Sequence, residues 1–426
     1  MKKYQEMSQE ELRAEYNAVY AQYQKYCAQG LSLDMSRGKP SAAQLELSMP
    51  MLDVLHGQHD MRAEGGVDVR NYGQLDGIPE VKRIFSELLD VAPENIMVGA
   101  NSSLNLMFDC VCWAESLGIM GCTPWAKLDK VKFLCPVPGY DRHFAITELF
   151  GIEMIPIQMG SNGSDMEEVR KYVESDPAVK GIWCVPKYSN PTGITYSDDT
   201  VRAFAALKPA AKDFRIYWDN AYCVHHLTDT PDVLLNIFDA CREYKSEDMV
   251  YEFTSTSKIS FSGAGIAVIA ASDANMADLK KKRTIQTIGP NKVVQLMHAR
   301  YFHDAAGIAA HMEKHRALLA PKFEAVLSAL DAELAPLGIA SYSRPNGGYF
   351  ISFDTLSGCA SRVGELCKKA GVVLTTVGAT FPYGKDPQDT NIRIAPSFPP
   401  IEELRAAVAV FCTSVRLASL EKLMAA

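Results

Sequence analysis

The stretch Thr254-Ser255-Thr256-Ser257-Lys258-Ile259-Ser260-Phe261-Ser262-Gly263-Ala264-Gly265 sets one lysine behind four small hydroxyl residues and ahead of a glycine-bearing turn. It follows the apolar run Met249-Val250-Tyr251-Glu252-Phe253, which reads as a short buried strand. Lys258 is therefore expected at a strand end, facing a crevice. Desolvation there lowers the pKa of an ammonium, and a neutral amine is what attacks a carbonyl and holds it as a Schiff base. The flanking hydroxyls suit a phosphate. Taken alone, the same twelve residues also suit a surface lysine in a polar loop, so the reading rests on the rest of the chain.

Upstream of this stretch strands and helices alternate. Asn95 to Gly99 reads as a strand, Ala100-Asn101-Ser102-Ser103 as a turn, and Leu104 to Trp113 as a helix whose N-terminal amides and hydroxyls form a ready phosphate site. Lys132 to Cys135 is a strand followed by Pro138-Gly139-Tyr140, and Glu153 to Ile157 is another. The run Gly181 to Val185 ends in Ser189-Asn190-Pro191-Thr192-Gly193, and Arg215 to Trp218 ends in Asp219-Asn220-Ala221-Tyr222. Each strand is a near-continuous apolar run, which predicts an α/β fold with a mostly parallel sheet covered by helices on both faces. Ligands of such sheets bind outside the carboxyl ends of the strands. Gly99 to Ser103, Tyr140, Asn190, Asp219, Tyr222 and Lys258 all follow directly on a strand, so one crevice can gather them.

The alternation stops after Ala274. A helical pattern runs from about Lys292 to Leu334, and a new α+β set follows, with strands at Gly348 to Phe353, Val372 to Thr375 and Asn391 to Ala395 and a last helix from Ile401. The predicted organisation is residues 1–50 as an N-terminal arm and part of a small domain, 51–310 as a large domain, and 311–426 as the small C-terminal domain. Residues 8–29 read as an amphipathic helix with a capping box, Ser8 and Glu11, ended by Gly30.

Composition narrows the function further. In 426 residues, 47% are hydrophobic and 22% charged, as in an ordinary globular protein, and the net charge of -8 includes no basic run beyond Lys280-Lys281-Lys282-Arg283. Neither nucleic acid nor an anionic membrane is expected as a partner. Eleven scattered cysteines suggest reduced thiols, and only His225-His226 and the helical pair His311/His315 resemble metal ligands, so no metal is expected. The polar N-terminal segment differs from a secretory leader, and a cytoplasmic location is expected.

The ordered motifs resemble those of fold-type I, pyridoxal-phosphate-dependent aminotransferases of class I, and in particular a divergent aspartate aminotransferase subgroup. They are Asn71-Tyr72-Gly73, Pro138-Gly139-Tyr140, Ser189 to Gly193, Asp219 to Tyr222, Ser255 to Lys258 and Ile392-Arg393-Ile394, with Gly38 upstream. The resemblance implies a mostly parallel sheet of the seven-stranded type, and pyridoxal 5'-phosphate as cofactor, with Lys258 bound to its aldehyde and moving the proton at the substrate. It implies Asp219 at the pyridine nitrogen, Asn190 and Tyr222 at the 3′-oxygen, and Tyr140 on the ring face. Asn101, Ser102, Ser103 and Ser255 would hold the phosphate, with Tyr72 reaching it from the other subunit of a homodimer. Arg393 would clamp the substrate carboxylate beside Gly38. One departure stands out: the family usually carries an arginine eight positions after the lysine, and this chain has Ile266.

The expected substrates are an amino acid, aspartate or glutamate, and a 2-oxo acid. A distal carboxylate needs a second cation, and Arg37 is preferred over Lys39, Arg142 and Lys187 because it flanks Gly38. A β-lyase or decarboxylase on the same scaffold is the alternative within this chemistry. A ligand-sensing domain is less suited, since no basic helix-turn-helix segment occupies residues 1–60, and no Gly-x-Gly-x-x-Gly supports a dinucleotide fold.

Overall fold

The computed structural model describes residues 2–55 and 60–425. A helix over Gln9–Cys27 opens the chain, and its capping box forms as expected: Glu11 N donates to Ser8 Oγ at 3.2 Å and Ser8 N to Glu11 Oε2 at 2.6 Å. The two-residue strand β1 (Leu33–Asp34) follows. The central sheet is then built from β2 (Ile96–Val98), β3 (Lys132–Val137), β4 (Glu153–Gly160), β5 (Gly163–Ser164), β6 (Val179–Cys184), β7 (Arg215–Asp219), β8 (Val250–Ser255) and β9 (Ala267–Ala271). Their order is β2-β9-β8-β7-β6-β3-β4-β5.

Pairing is parallel from β8 through β7, β6 and β3 to β4, and antiparallel where β9 lies between β2 and β8 and where β5 folds back on β4. The mostly parallel α/β sheet is thus present, with eight strands in place of seven, the extra one being the two-residue β5. Two antiparallel steps across β9 leave β2 pointing the same way as β8. The carboxyl ends of β2, β3, β6, β7 and β8 therefore share one edge.

Both faces of β2, β3, β6, β7, β8 and β9 are buried, which is why these strands lack a polar face, whereas β4 carries exposed residues along its length. Along β6 and β7 successive side chains alternate between two cores: Ile182, Cys184, Ile216 and Trp218 enter one, while Trp183 and Tyr217 enter the other. On the second face Phe133, Trp183 and Tyr217 pack with ring centroids 4.7–5.5 Å apart, Trp183 to Tyr217 being the closest.

The remaining strands are β10 (Ala340–Tyr342), β11 (Ile351–Thr355), β12 (Val372–Val373) and β13 (Asn391–Ile394). β10, β11 and β13 form an antiparallel sheet, and β1 pairs with β12 in parallel. A third apolar cluster joins Leu12, Val19 and Tyr23 of the first helix to Phe353, Val363 and Phe411 near the chain's end. The helical pattern expected from Lys292 to Leu334 divides into Lys292–Phe302 and Ala305–Glu333, because His303 takes a φ of 65° and Asp304 caps the second helix through Gly307 N. Among the described residues no helix is long and apolar enough to cross a membrane.

Candidate active site

A cavity of about 210 Å³ lies at the shared carboxyl edge. Its wall contains Arg37, Gly38, Ser102, Ser103, Tyr140, Asn190, Asp219, Tyr222, Ser255, Lys258 and Arg393, so eleven expected site residues meet in one place. They come from loops after β2, β3, β6, β7 and β8, from the segment after β1, and from β13.

The lysine turn is anchored from beneath. Thr256 N donates to Ile266 O at 2.8 Å, Ile266 N to Thr256 Oγ1 at 2.9 Å, and Ser260 Oγ lies 2.7 Å from His298 Nε2. Thr256 and Ser260 are thus structural hydroxyls that fix the turn, while Ser255 and Ser257 face the cavity. Lys258 Nζ lies over the Tyr222 ring at 5.0 Å from its centroid. Burial lowers the Lys258 pKa, Asp219 works against that shift, and Arg393 adds to it. Burial also pushes the Tyr222 phenol well up, and the Tyr140 phenol to about 12. Both phenols are hydrogen-bond donors at neutral pH.

Asp219 ends β7 with 3% of its surface exposed. Oδ2 is 3.0 Å from His143 Nε2, while the buried Oδ1 has no hydrogen-bond partner among the described residues. Such an orphaned carboxylate oxygen costs free energy unless a donor arrives. A protonated ring nitrogen is such a donor, so the residues fit the cofactor that the motifs imply. His143 is itself stacked on Trp183 at 4.6 Å, which fixes the plane of its ring.

Ser102 caps the helix Ser103–Leu117 by accepting from Leu104 N at 3.2 Å, and the helix N-terminus opens into the cavity. Hydroxyls of Ser102, Ser103, Ser255 and Ser257 gather there, a suitable cup for a phosphate. Ile266, where the family's arginine is missing, is buried at 2% in the core and contributes nothing to the cavity.

Arg393 is held at the opposite end. Its Nη1 donates to Asp141 Oδ1 at 2.8 Å and Asn190 Oδ1 at 3.3 Å, Nε to Thr375 Oγ1 at 3.4 Å, and the guanidinium lies 4.8 Å over the Phe350 ring. Gly38 touches the other part of that ring: a Cβ there would sit 2.0 Å from Phe350 Cζ, so only glycine fits. Arg37 lines the cavity and pairs with Asp34 at 3.6 Å.

Two expected residues lie elsewhere. Asn101 does not line the cavity: its amide donates to Ser262 O at 3.1 Å and its carbonyl accepts from Ser257 Oγ at 2.8 Å, so it braces the lysine turn instead of facing a phosphate. Tyr72 is 81% exposed, in a separate surface hollow with Ile288 and Val293. Conversely, the sequence reading passed over His143, Asp141 and Phe350. The signal for His143 was its spacing, three residues after Tyr140, which puts both on one face of the helix Asp141–Leu149.

Comparison with known proteins bears on the family and the fold. A sequence profile described as aspartate amino-transferase matches residues 7–426. An aspartate aminotransferase of Corynebacterium glutamicum is 46% identical over 418 residues, 98% of this chain and 96% of its own. The crystal structure of an aspartate transaminase from that species superposes with a TM-score of 0.96 at 45% identity, covering 98% and 99% of the two chains. The α-aminoadipate aminotransferase LysN of Thermus thermophilus, complexed with N-(5'-phosphopyridoxyl)-L-leucine, shares the fold at a TM-score of 0.71 and 19% identity, over 95% of each chain.

Proposed function

The chain belongs to the aspartate aminotransferase family, and from that premise we propose that it exchanges amino groups between aspartate or glutamate and a 2-oxo acid, with pyridoxal 5'-phosphate held in the cavity at Lys258. The observation that carries the cofactor assignment is Asp219, whose buried Oδ1 lacks a partner in the cavity that also holds the desolvated lysine. When bound, pyridoxal phosphate supplies an aldehyde to carry the amino group and a ring that draws electrons from the substrate Cα.

The chain's own residues do the rest. Asp219 keeps a ring nitrogen protonated, and His143 holds the Asp219 carboxylate in place. Tyr222 and Asn190 serve the ring oxygen, Tyr140 covers a ring face, and Ser102, Ser103 and Ser255 hold the phosphate with the helix N-terminus. The Lys258 amine, whose basicity desolvation lowers, would move the proton at the substrate Cα. Arg393 and the Gly38 backbone bind the α-carboxylate, and Arg37 takes the distal one.

We further propose a homodimer in which Tyr72 enters the neighbouring subunit's site. Supporting this, Tyr72 and Ile288 are 81% and 60% exposed and share one surface hollow, and exposed apolar side chains that cluster in this way suit an interface. The proposed division remains 1–50 with 311–426 around 51–310. All eleven cysteines are free, which suits a reducing compartment, and the cytoplasm is the proposed location.

The test is a borohydride trap. Protein expressed with pyridoxine should be yellow, and reduction should fix the cofactor to Lys258, with Lys258→Ala abolishing both the trap and the transfer from aspartate to 2-oxoglutarate. Trapping at another lysine, or a colourless protein, rejects the assignment.

A further inference from the structure

The carboxylate site assigned to Arg393 is already half filled by the chain itself. Asp141, the first residue of the helix Asp141–Leu149, accepts from Arg393 Nη1 at 2.8 Å, and the two side chains are 32% and 8% exposed. Arg393 has further contacts that hold its position. Asn190, Thr375 and the Phe350 ring hold the guanidinium through its other contacts. Nη2 has no hydrogen-bond partner among the described residues, so one of the two terminal nitrogens is free and the other is engaged by a carboxylate.

A carboxylate that meets the guanidinium end-on takes one N–H from each terminal nitrogen, and Nη1 already donates to Asp141 and Asn190. We infer that Asp141 is an internal competitor for the substrate carboxylate, and so a residue that sets how tightly any carboxylate ligand binds. Its release is inexpensive for two reasons. The carboxylate stays in the first turn of a helix, where the helix dipole favours a negative charge. It also shares the cavity wall with Arg37 and Arg142, two cations able to receive it. The charged groups that share the cavity wall with Asp141 are Arg37, Arg142, Asp219, Lys258 and Arg393, of which Arg393 is in direct contact with it.

This inference rests on Arg393 being the carboxylate site, and the experiment separates the two. The cofactor-loaded enzyme is titrated calorimetrically with succinate, a dicarboxylate, and propionate, a monocarboxylate. Asp141→Asn and Asp141→Ala should tighten both ligands by the same factor, about tenfold, since a charge-assisted competitor is replaced by a neutral one or none. The KM for the amino donor should fall with them. Arg393→Lys should weaken both ligands. If the Asp141 variants loosen both, Asp141 positions Arg393 and the competitor idea is overturned. Unchanged affinities, or tightening of succinate alone, overturn it equally, the latter by placing Asp141 at the distal end. Should Arg393→Lys leave both affinities unchanged, the assignment of Arg393 itself falls.

Discussion

Replacing Gly38 with alanine tests how the carboxylate site is supported. The added Cβ would lie 2.0 Å from Phe350 Cζ and 2.4 Å from Cε1, whereas ordinary contact starts at 3.4 Å. The ring must therefore retreat by about 1.4 Å, the difference between 3.4 and 2.0. Arg393 lies over that ring at 4.8 Å, so the ring's movement displaces the guanidinium or removes its floor. Overpacking of this kind costs roughly 1–3 kcal/mol of stability. A shift of about 1 Å in a binding group costs roughly a hundredfold in rate. Gly38→Ala should then lower kcat/KM for aspartate about a hundredfold, with a modest fall in the thermal midpoint. The backbone amide of residue 38 survives the change, so its loss is not the cause. Phe350→Leu removes the far ring edge, and Gly38→Ala with Phe350→Leu should recover at least about a tenth of the wild-type activity if the ring transmits the damage. Activity of Gly38→Ala within twofold of wild type refutes the reasoning, and so does a double variant no better than the single one.

Glu252 on β8 is buried at 4%, and burial raises its carboxyl from an ordinary 4.5 to about 7, with the Asn220 amide opposing the shift at 2.9 Å. The folded protein thus holds a proton that the unfolded chain releases between pH 4.5 and 7, and stability falls as pH rises through that window, by at most roughly 3 kcal/mol. Glu252→Gln should raise the thermal midpoint at pH 8 and leave it unchanged near pH 4.5; equal effects at both pH values contradict the charge argument. Arg37→Ala should lower kcat/KM for aspartate and glutamate by roughly two orders of magnitude while sparing alanine and aromatic donors. A uniform loss across donors removes Arg37 from the distal site, and Arg142→Ala, on the same cavity wall, is the comparison to run beside it. Sedimentation at working concentration should give a dimer, and Tyr72→Phe should release pyridoxal phosphate more readily on dialysis while the dimer persists. A fully active monomer excludes Tyr72 from the site.

What was legible in the chain is what local chemistry encodes. The Ser8/Glu11 capping box and the apolar strands ending in Asp219 or before Lys258 announce themselves within a few residues. The helices Asp141–Leu149 and Asp273–Gln286 were missed because their inner faces carry polar groups. The first buries His143 and Thr147, and the second buries Asn275, Lys282 and Arg283, so neither shows a hydrophobic period. β9 was missed for a related reason: Ala-Val-Ile-Ala-Ala is short, and its small residues fit a helix as well as a strand.

The same polar inner faces explain which parts of the site stayed hidden. His143 is buried because Asp219, distant in sequence, needs a partner, and Asp141 faces inward because Arg393 lies across from it on β13. Pairings of that kind link residues 76 and 252 positions apart, and no local pattern encodes them. Ile266 makes the converse point. The turn from Thr256 to Ile266 is closed by two backbone-directed bonds that any side chain at 266 permits, so the loss of an arginine there leaves the lysine's position intact. In the proposed cofactor site the phosphate's charge would then fall to the helix N-terminus and the serine hydroxyls, and the placement of Lys258 owes nothing to the missing cation.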